Sequence, residues 1–572
     1  MAVRAAGHDG DRALAGRTGP VIAGSGLGHV RSPGSDAGSP AGALDTVPRQ
    51  GRLLPEARRV LVNVHLDLAE AVATSAQSRH GEAGVADLLA AEVLVRRGLY
   101  KYAGEVLPDR PPGTAPVARR TRWAVTAAAI QYWGAGDVEA AQRVLRDVGS
   151  PVAEAHRAGL LLLDGRTRAA LAAGEEVLRD RPVPDGALRP AVPTVVVAAG
   201  LAGRFDQALA AVDRAGAGRT GFAEIGYAHC FALLMAGRVR PAFRMAEDGH
   251  RRAVSTGNIA EAGGWLALRG QAAKARGDLA AAIADLETAS HLLDGGHTCL
   301  LLAPCLAELA VARAMSGDQA GAHEARQLAG RAPGSRLFLP WLTLSQAWTT
   351  AAGGDTTLAA RQARSAADVA MASGQYAVEA VARYDVARFG NPNAVRHRLA
   401  ELADLVQGPV VPAMAGASAA MARSDPGALD VATARFTELG MDLLAAETAT
   451  AAAALSHPAA PSHPAPPSHP AAPGPPGPLP RVIARPDAAT PLLRLTAPLS
   501  ELTRRERDVA LLAAGGFTSP AIGHRLGLSA RTVDNYLGRA YQKLGVTSRR
   551  ELAPLVAGHR PHPPIHAEGN HR

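Results

Sequence analysis

Apolar residues recur with the helical period along most of the chain, and glycine interrupts them at regular intervals. Between about residues 53 and 455, Ala-rich segments alternate with turn glycines, as in GAGDVEAAQRVL at 134–145 and ARGDLAAAIADL at 275–286. Apolar positions three and four apart predict amphipathic helices, and a glycine between two such segments predicts a left-handed turn. No alternation of strand and helix patterns is present, so the predicted fold class is all-α.

Nine turn glycines divide this region into a repeat. They are separated by 29 to 40 residues and are Gly98, Gly136, Gly165, Gly203, Gly237, Gly277, Gly317, Gly354 and Gly390. A period of this size is typical of stacked helix pairs and lies close to the ~34 residues of a tetratricopeptide unit. The region resembles tetratricopeptide-like repeats, although no unit carries the full consensus. A generic helical bundle is the alternative.

Residues 52–455 are therefore predicted to form a helical-repeat domain of roughly nine or ten helix pairs. Small Ala side chains let the two helices of a pair approach, and each pair is expected to bury its apolar face only against its neighbours. Such an array is a superhelix whose concave face binds a protein or a small-molecule signal. Five tryptophans are expected to be packing anchors, with one or two on the concave face: Trp123, Trp133, Trp265, Trp341 and Trp348.

The segments around the repeats have other compositions. Residues 1–51 are rich in Gly, Ala, Arg and Ser without a period, which predicts a disordered tail. Residues 456–495 begin with SHPAAP, SHPAPP and SHPAAP in tandem, which predicts an extended, semi-rigid linker. A histidine recurs there every six residues, but without a fixed geometry a spacer is favoured over a metal site. Residues 561–572 are predicted to be a second disordered tail.

Residues 496–560 carry signals for four short helices. Thr503 and Glu506 have the spacing of a capping box, and two glycines at 515–516 end the helix that follows. The Thr518 hydroxyl is expected to cap a second helix, which turns at Gly527. Ser529 is expected to cap a third helix that runs to about residue 544. A helix, a Gly-containing turn and a longer helix form the helix-turn-helix arrangement.

The second helix of such a motif lies in the major groove of DNA, with its N-terminal residues at base edges. Asn535 is suited to adenine and Asp534 to the amino group of cytosine, while basic neighbours contact phosphates. The residues predicted to bind DNA share the polar face of this helix or the caps beside it. They are Thr518, Ser519, Ser529, Arg531, Thr532, Asp534, Asn535, Gly538, Arg539, Gln542 and Lys543.

This segment resembles the C-terminal domain of LuxR-type transcriptional regulators. The resemblance runs without a gap from 502 to 552 and rests on LTRRE (502–506), AAGG (513–516), Ile522, RLGLS (525–529), TV (532–533), KLGV (543–546) and SRREL (548–552). It implies a four-helix domain that binds promoter DNA through its third helix and dimerises through its fourth.

Several positions depart from the family pattern. A His is usual at Tyr536, a Glu at Ala521, an Ala at Gly523, an Ile at Ala540, and often a Lys at Asp534. Gly538 inside the third helix costs about 1 kcal/mol relative to Ala. Pro554 is expected to break the fourth helix early, which opposes dimerisation through it.

Charge is concentrated at the same end of the chain. Residues 494–560 hold 11 Lys and Arg against 5 Asp and Glu, which gives a net charge of +6, whereas residues 61–493 hold 41 of each sign. This is the electrostatic pattern of a DNA-binding unit attached to a neutral body.

Other classes of protein are disfavoured. No apolar run approaches the ~20 residues of a membrane helix and the N-terminus lacks the order of a signal peptide, so a cytoplasmic protein is predicted. The chain has three lysines and none follows a glycine, so it lacks the Gly-x-x-x-x-Gly-Lys-Ser/Thr phosphate loop. We therefore predict no catalysis, no cofactor and no metal. Cys230, Cys299 and Cys305 are interpreted as core fillers.

The leading hypothesis is a bacterial transcriptional regulator that docks a recognition helix at about 530–544 on promoter DNA, as a dimer, while the repeat body senses a signal. One alternative is a protein-binding repeat scaffold whose tail has lost groove recognition. Another is a remnant of a larger nucleotide-hydrolysing regulator, trimmed at its front.

Overall fold

The computed structural model describes residues 85–96, 98–109, 114–179, 182–216, 222–294, 299–332, 334–456, 488–494, 502–544, 546–549 and 552. Within these ranges all regular secondary structure is helical, which confirms the predicted all-α class. The predicted tails at 1–51 and 561–572, most of the linker and Pro554 lie outside the described residues. The predicted domain boundaries stay predictions.

The described part of the body, 85–456, contains twenty-one α-helices. They are α1 (Val85–Arg96), α2 (Tyr100–Val106), α3 (Val117–Ala129), α4 (Val138–Arg146), α5 (Pro151–Leu163), α6 (Thr167–Arg179), α7 (Asp185–Leu201), α8 (Phe205–Ala215), α9 (Ala223–Met235), α10 (Val239–Ser255), α11 (Ile259–Arg276), α12 (Leu279–Leu293), α13 (Cys299–Ser316), α14 (Gln319–Arg331), α15 (Leu339–Ala352), α16 (Thr356–Ala372), α17 (Tyr376–Arg388), α18 (Arg396–Leu405), α19 (Val410–Arg423), α20 (Pro426–Glu438) and α21 (Asp442–Ser456). A π-helical turn at Ile130–Ala135 extends α3, and 3-10 turns at Arg336–Phe338 and Pro392–Ala394 precede α15 and α18.

The turn glycines occupy the positions that the repeat pattern predicts. All nine have a positive φ, between 69° and 96°, and each lies between the two helices of one pair, from α1–α2 to α17–α18. A tenth pair, α19–α20, has no such glycine, because Ser424 takes the left-handed position with a φ of 52°. In five pairs an Asp follows the left-handed residue and caps the second helix: Asp137, Asp278, Asp318, Asp355 and Asp425.

Small residues let the paired helices approach, as predicted. Between α11 and α12, Ala272, Ala273 and Ala282 are fully buried. A Cβ atom on Gly270 would fall 2.7 Å from Cγ of Leu286, so this pair packs closer than any larger residue would allow. None of the described helices is both long and apolar enough to cross a membrane.

The body departs from the nearest-neighbour packing expected of a simple repeat array, because late elements pack on early turns. The backbone N–H of Gln407 donates to the carbonyl of Gly203 over 2.9 Å. The Gln407 side chain in turn accepts from the N–H of Asp206, also over 2.9 Å. A Cβ on Gly203 would lie 2.9 Å from Val406. Glycine at this position therefore allows both the left-handed turn and the close contact between the turn and Val406. In the same part of the body, eleven of the thirteen residues of α17 are buried.

A buried charged cluster joins α15, α17 and α21. The Arg388 guanidinium donates to Asp385 over 2.8 Å and makes two bonds of 2.8 Å to the Glu447 carboxylate. The indole N–H of Trp348 donates to the second Asp385 oxygen over 2.9 Å, and the Arg388 guanidinium lies 4.4 Å from the centroid of the Trp348 ring. Pairing of this kind offsets the cost of burying three charges.

Two predicted side-chain roles are confirmed in the body. Trp265 and Trp348 are 2% and 1% exposed and act as packing anchors. Cys230 and Cys305 are buried free thiols, and burial raises the pKa of each to about 12. Both are therefore core fillers, while the Cys299 side chain lies outside the described residues.

The end of the predicted linker packs on the body. We call residues 488–494 the docked segment; it includes the short helix α22 (Pro491–Arg494). The N–H of Ala489 donates to the carbonyl of Met315 over 2.7 Å, and Leu492 is 6% exposed. A linker of pure spacer character would not place apolar side chains in the body core in this way.

The C-terminal unit consists of α23 (Arg504–Ala514), α24 (Ser519–Leu526) and α25 (Ala530–Leu544). Of the predicted fourth helix, only residues 549 and 552 are described as helical. The buried apolar residues form one cluster that draws on 502–552 alone: Leu502, Val509, Ala510, Leu512, Ala513, Ile522, Val533, Leu537, Ala540 and Leu552. Among the described residues, this unit therefore has a core of its own.

Candidate nucleic-acid interface

The first helix of the C-terminal unit begins with the predicted capping box. The N–H of Glu506 donates to the Thr503 hydroxyl over 3.3 Å, and the N–H of Thr503 donates to the Glu506 carboxylate over 2.8 Å. Both backbone donors at the helix start are satisfied. At the other end Gly516 has a φ of 85°, which confirms the predicted glycine stop.

The capping carboxylate also contacts the far end of α25. Nζ of Lys543 lies 2.7 Å from Oε2 of Glu506, which is 2% exposed. Burial by itself raises the pKa of Glu506, but the bonds from Lys543 and Thr503 outweigh it, so the pKa lies below its usual value. Lys543, predicted to contact phosphate, thus has an internal partner in this structure.

The start of α24 differs in detail from the prediction. Thr518 is the N-cap residue, but its hydroxyl accepts no capping bond. Instead the hydroxyl of Ser519 donates to Asp534 on α25 over 2.5 Å and accepts from the Arg549 guanidinium over 2.6 Å. Arg549 also donates to the carbonyl of Phe517 over 2.8 Å. Sequence reasoning did not select Arg549 as a site residue; its only signal was its place in the SRREL motif.

The turn between α24 and α25 is tight. Gly527 has a φ of 67°, as the predicted turn requires. A Cβ on Gly523 would lie 2.5 Å from the carbonyl oxygen of Leu528, so the backbone of this turn approaches Gly523 too closely for a larger residue. Ser529 caps α25 as predicted, because its hydroxyl accepts from the N–H of Thr532 over 3.1 Å.

The outer face of α25 carries unpaired polar groups. Arg531, Asn535, Arg539 and Gln542 are exposed, and within the described residues their side chains make no hydrogen bond or ion pair. Their spacing of four, four and three residues places them along one face over about 16 Å of helix. Val533, Leu537 and Ala540, at most 4% exposed, form the opposite, buried face, as predicted.

The eleven residues chosen from the sequence therefore fall into different groups. Gly538 lies on the exposed face with open space around its Cα. Five others hold the unit together through the contacts above: Ser519, Ser529, Thr532, Asp534 and Lys543. The remaining five leave polar groups directed outward: Thr518, Arg531, Asn535, Arg539 and Gln542.

The geometry is that of a helix-turn-helix unit with a polar recognition face, and the comparisons agree. Residues 500–556 match the model of the bacterial regulatory proteins of the luxR family. Over 58 residues the chain is 44% identical to the probable transcriptional regulatory protein SgaR of Hyphomicrobium methylovorum. These 58 residues are 10% of this chain and 28% of that protein. The C-terminal unit is a luxR-family helix-turn-helix domain.

A comparison with solved structures gives a weaker likeness over a larger part of the chain. The crystal structure of the APC/C hetero-tetramer Cut9–Hcn1 aligns with a TM-score of 0.36 and 13% identity, over 70% of this chain and 90% of that chain. A score of this size carries no argument about the body. The helical-repeat architecture rests on the helix pairs and turn glycines themselves.

Proposed function

We propose that the chain is a DNA-binding transcriptional regulator of bacteria, in which α25 enters the major groove of promoter DNA and the repeat body senses a signal. The observation that carries this proposal is the outer face of α25. Arg531, Asn535, Arg539 and Gln542 are unpaired there within the described residues, whereas the neighbouring polar groups have internal partners. Matches to the luxR family model and to a regulatory protein support the same reading.

Direct base contacts are assigned to the N-terminal half of this face. The amide of Asn535 can donate to N7 of adenine and accept from its N6 amino group in a bidentate arrangement, and Arg531 near the start of α25 is suited to O6 and N7 of guanine or to a phosphate. Arg539 and Gln542, one and two turns further along, are assigned to the backbone. Asp534, whose carboxylate already accepts from Ser519, is assigned a positioning role.

A second phosphate contact is assigned to the start of α24. The helix N-terminus presents backbone N–H groups and a positive dipole end, which suit an anion. The hydroxyl of the exposed N-cap residue Thr518 makes no capping bond and is therefore left to donate to a phosphate oxygen. Arg549, fixed against Phe517 and Ser519, adds positive charge beside this position.

The docked segment limits where the domain can reach. Only residues 495–501 separate Arg494 from Leu502, a span of at most about 28 Å when fully extended. We therefore propose that the body restricts the helix-turn-helix domain through the docked segment and not through the whole Pro-rich stretch. The predicted dimer and the cytoplasmic, nucleoid-bound location belong to the same proposal, since promoter DNA lies there.

The test is selection of binding sites by the full chain from a library of randomised duplexes, followed by fluorescence anisotropy on the enriched sequence. Asn535→Ala is expected to reduce the discrimination at one base pair by about 1–3 kcal/mol. Arg539→Ala is expected to reduce the slope of log binding constant against log salt concentration by about one. A dimer would select two-fold symmetric sites with centres about 10 bp apart.

The matched control is Arg435→Ala, because Arg435 is an exposed arginine of α20 that pairs with Glu438 over 3.3 Å. It is expected to bind the selected site like the wild type. No enrichment of any sequence, with binding insensitive to Asn535→Ala and Arg539→Ala, would refute the regulator and favour the protein-binding scaffold.

A further inference from the structure

A cavity of about 720 Å³ lies among the first helices of successive pairs in the body. Residues of α3, α5, α7, α9, α11, α13 and α15 line it. Its far wall is the 3-10 turn and the start of α15, which an ion pair of 3.4 Å between Arg336 and Asp164 holds against the end of α5. A space of this volume, walled on several sides, is typical of small-molecule sites.

Aromatic side chains are concentrated in this cavity. The whole chain has 21 Phe, Trp and Tyr residues among 572, yet five of them line this one space: Trp133, Tyr227, Phe231, Phe338 and Trp341. Phe231 and Phe338 lie 6.4 and 6.1 Å from Trp341 between ring centroids. In a body packed mainly by Ala and Leu, such a group provides flat surfaces against which a ring compound can stack.

Among the described residues, charged groups are nearly absent from the lining. The charged residue there, Glu224, is exposed and already accepts from the Arg189 guanidinium over 2.8 Å. A charged ligand would lose its hydration without gaining a counter-ion, which is costly. The lining therefore favours an uncharged occupant.

Two neutral polar side chains are available to such an occupant. His156 and Gln271 line the cavity, and neither has a hydrogen-bond partner within the described residues. Burial lowers the pKa of His156 to about 4, so its imidazole is neutral at physiological pH and offers one donor and one acceptor.

The helices that form the walls contain prolines at the cavity surface. Pro190 and Pro193 lie inside α7, and Pro304 lies inside α13. Each proline supplies no N–H to the carbonyl four residues earlier. In α7 the hydroxyl of Thr194 donates to the carbonyl of Pro190 over 2.7 Å. Of the three carbonyls that lose a helical donor, at residues 186, 189 and 300, the one at Leu300 belongs to a lining residue and is suited to a hydroxyl of the ligand.

We propose that this cavity binds an uncharged, mainly apolar ring compound that carries a hydroxyl or carbonyl group. The rings lie against Trp341 and Phe231, and the polar group bonds to His156 or Gln271. The further statement that this compound is the signal sensed by the body rests on the proposed regulatory function.

The test uses the purified full chain and 1-pyrenemethanol, an uncharged ring alcohol whose fluorescence anisotropy reports binding. Saturable binding to one site per chain is expected. Leu160→Trp, which adds bulk at a lining residue of the cavity, is expected to weaken binding about tenfold or more, equivalent to ~1.4 kcal/mol or more. Leu328→Trp places the same substitution on a surface residue of α14 that is 43% exposed and is expected to leave binding unchanged.

Three results would overturn the proposal. The first is the absence of saturable binding. The second is unchanged affinity in a Leu160→Trp protein that folds normally by circular dichroism; should that variant not fold, Val197→Trp replaces it, with Val254→Trp as control. The third is equal affinity for the charged analogue 1-pyrenesulfonate.

A failure of the proposed ligand site can be distinguished from a failure of the proposed DNA-binding function. DNA binding is measured on the same preparation, with and without pyrenemethanol. Loss of DNA binding with an intact cavity site refutes the regulator alone, and loss of the cavity site with intact DNA binding refutes the ligand alone. If the chain binds both DNA and pyrenemethanol, but neither changes the affinity for the other, only the statement that the compound is the signal would be refuted.

Discussion

Nζ of Lys543 lies 2.7 Å from Oε2 of Glu506, so the last turn of α25 is tied to the capping box of α23. This contact fixes the angle of α25 relative to the rest of the domain. Arg539, one turn earlier, has no such partner among the described residues. Two basic residues that look alike in the sequence therefore have different surroundings.

We expect Lys543→Met to lower the stability of the domain and Arg539→Met to lower its affinity for DNA. Lys543→Met leaves the buried Glu506 carboxylate without its cationic partner, while the bond from the Thr503 N–H remains, and this loss is expected to cost about 1–3 kcal/mol. Hydrogen exchange of the full chain without DNA is expected to quicken across 504–544 for Lys543→Met and to stay unchanged for Arg539→Met. DNA affinity is expected to fall in the second variant. Equal protection in both variants would contradict the assignment of Lys543 as a positioning residue.

Two glycines of the domain provide a matched pair of substitutions. A Cβ atom on Gly538 would have none of the described atoms of other residues within 4 Å, whereas a Cβ on Gly523 would lie 2.5 Å from the Leu528 carbonyl oxygen. Gly538→Ala is expected to stabilise α25 by about 1 kcal/mol, and Gly523→Ala to destabilise the domain because the turn has to shift. Hydrogen exchange across residues 504–544 measures the change in stability for both variants. If both substitutions stabilised the domain, the turn at Gly523 would be looser than described.

The buried cluster around Arg388 predicts a large loss of stability. Arg388→Met leaves Asp385 and Glu447 buried without a counter-charge, which is expected to cost about 3–5 kcal/mol. Urea denaturation of the full chain gives this value. Arg435→Met, which breaks a pair with side chains about two-thirds exposed, is the control and is expected to change stability by about 0.5 kcal/mol or less.

His156 predicts a pH dependence of the body. Its pKa is lowered from 6.5 to about 4 by burial, so below pH 6.5 the unfolded chain binds the proton more readily than the folded one. The contribution to stability is complete above pH 6.5 and is lost as pH falls towards 4, by at most about 1.4 kcal/mol per pH unit. His156→Phe is expected to flatten the unfolding free energy between pH 6.5 and 5. His323→Phe, on the exposed face of α14, should keep the wild-type slope.

The docked segment predicts a specific loss of protection. Leu492 is 6% exposed and Ala489 donates to Met315, so Leu492→Asp is expected to release residues 488–494 from the body. The amide of Ala489 would then exchange rapidly. Leu455→Asp, at a residue of α21 that is 37% exposed, is the control. Unchanged exchange at Ala489 in Leu492→Asp would show that Leu492 does not hold the segment.

Local features of this protein could be read from the sequence because they depend on neighbouring residues. A positive φ is a property of one residue, so the nine glycine turns could be predicted and all nine are present. The Thr503–Glu506 box and the buried face of α25 follow from spacings of three and four residues in the same way. The tenth turn was not predictable, because Ser424 carries no glycine signal.

The tertiary structure decided what depends on residues far apart in the chain. Lys543 meets Glu506 across 37 residues because α25 packs on α23, and no local pattern in the sequence records this contact. Gln407 meets Gly203 across about two hundred residues, because the small rotations between successive helix pairs add up along the body. The same accumulation brings α15 back against α5 and encloses the cavity. The sequence by itself thus determined the repeat units and the helix-turn-helix face, and only their packing decided which polar groups remain free and where a ligand can enter.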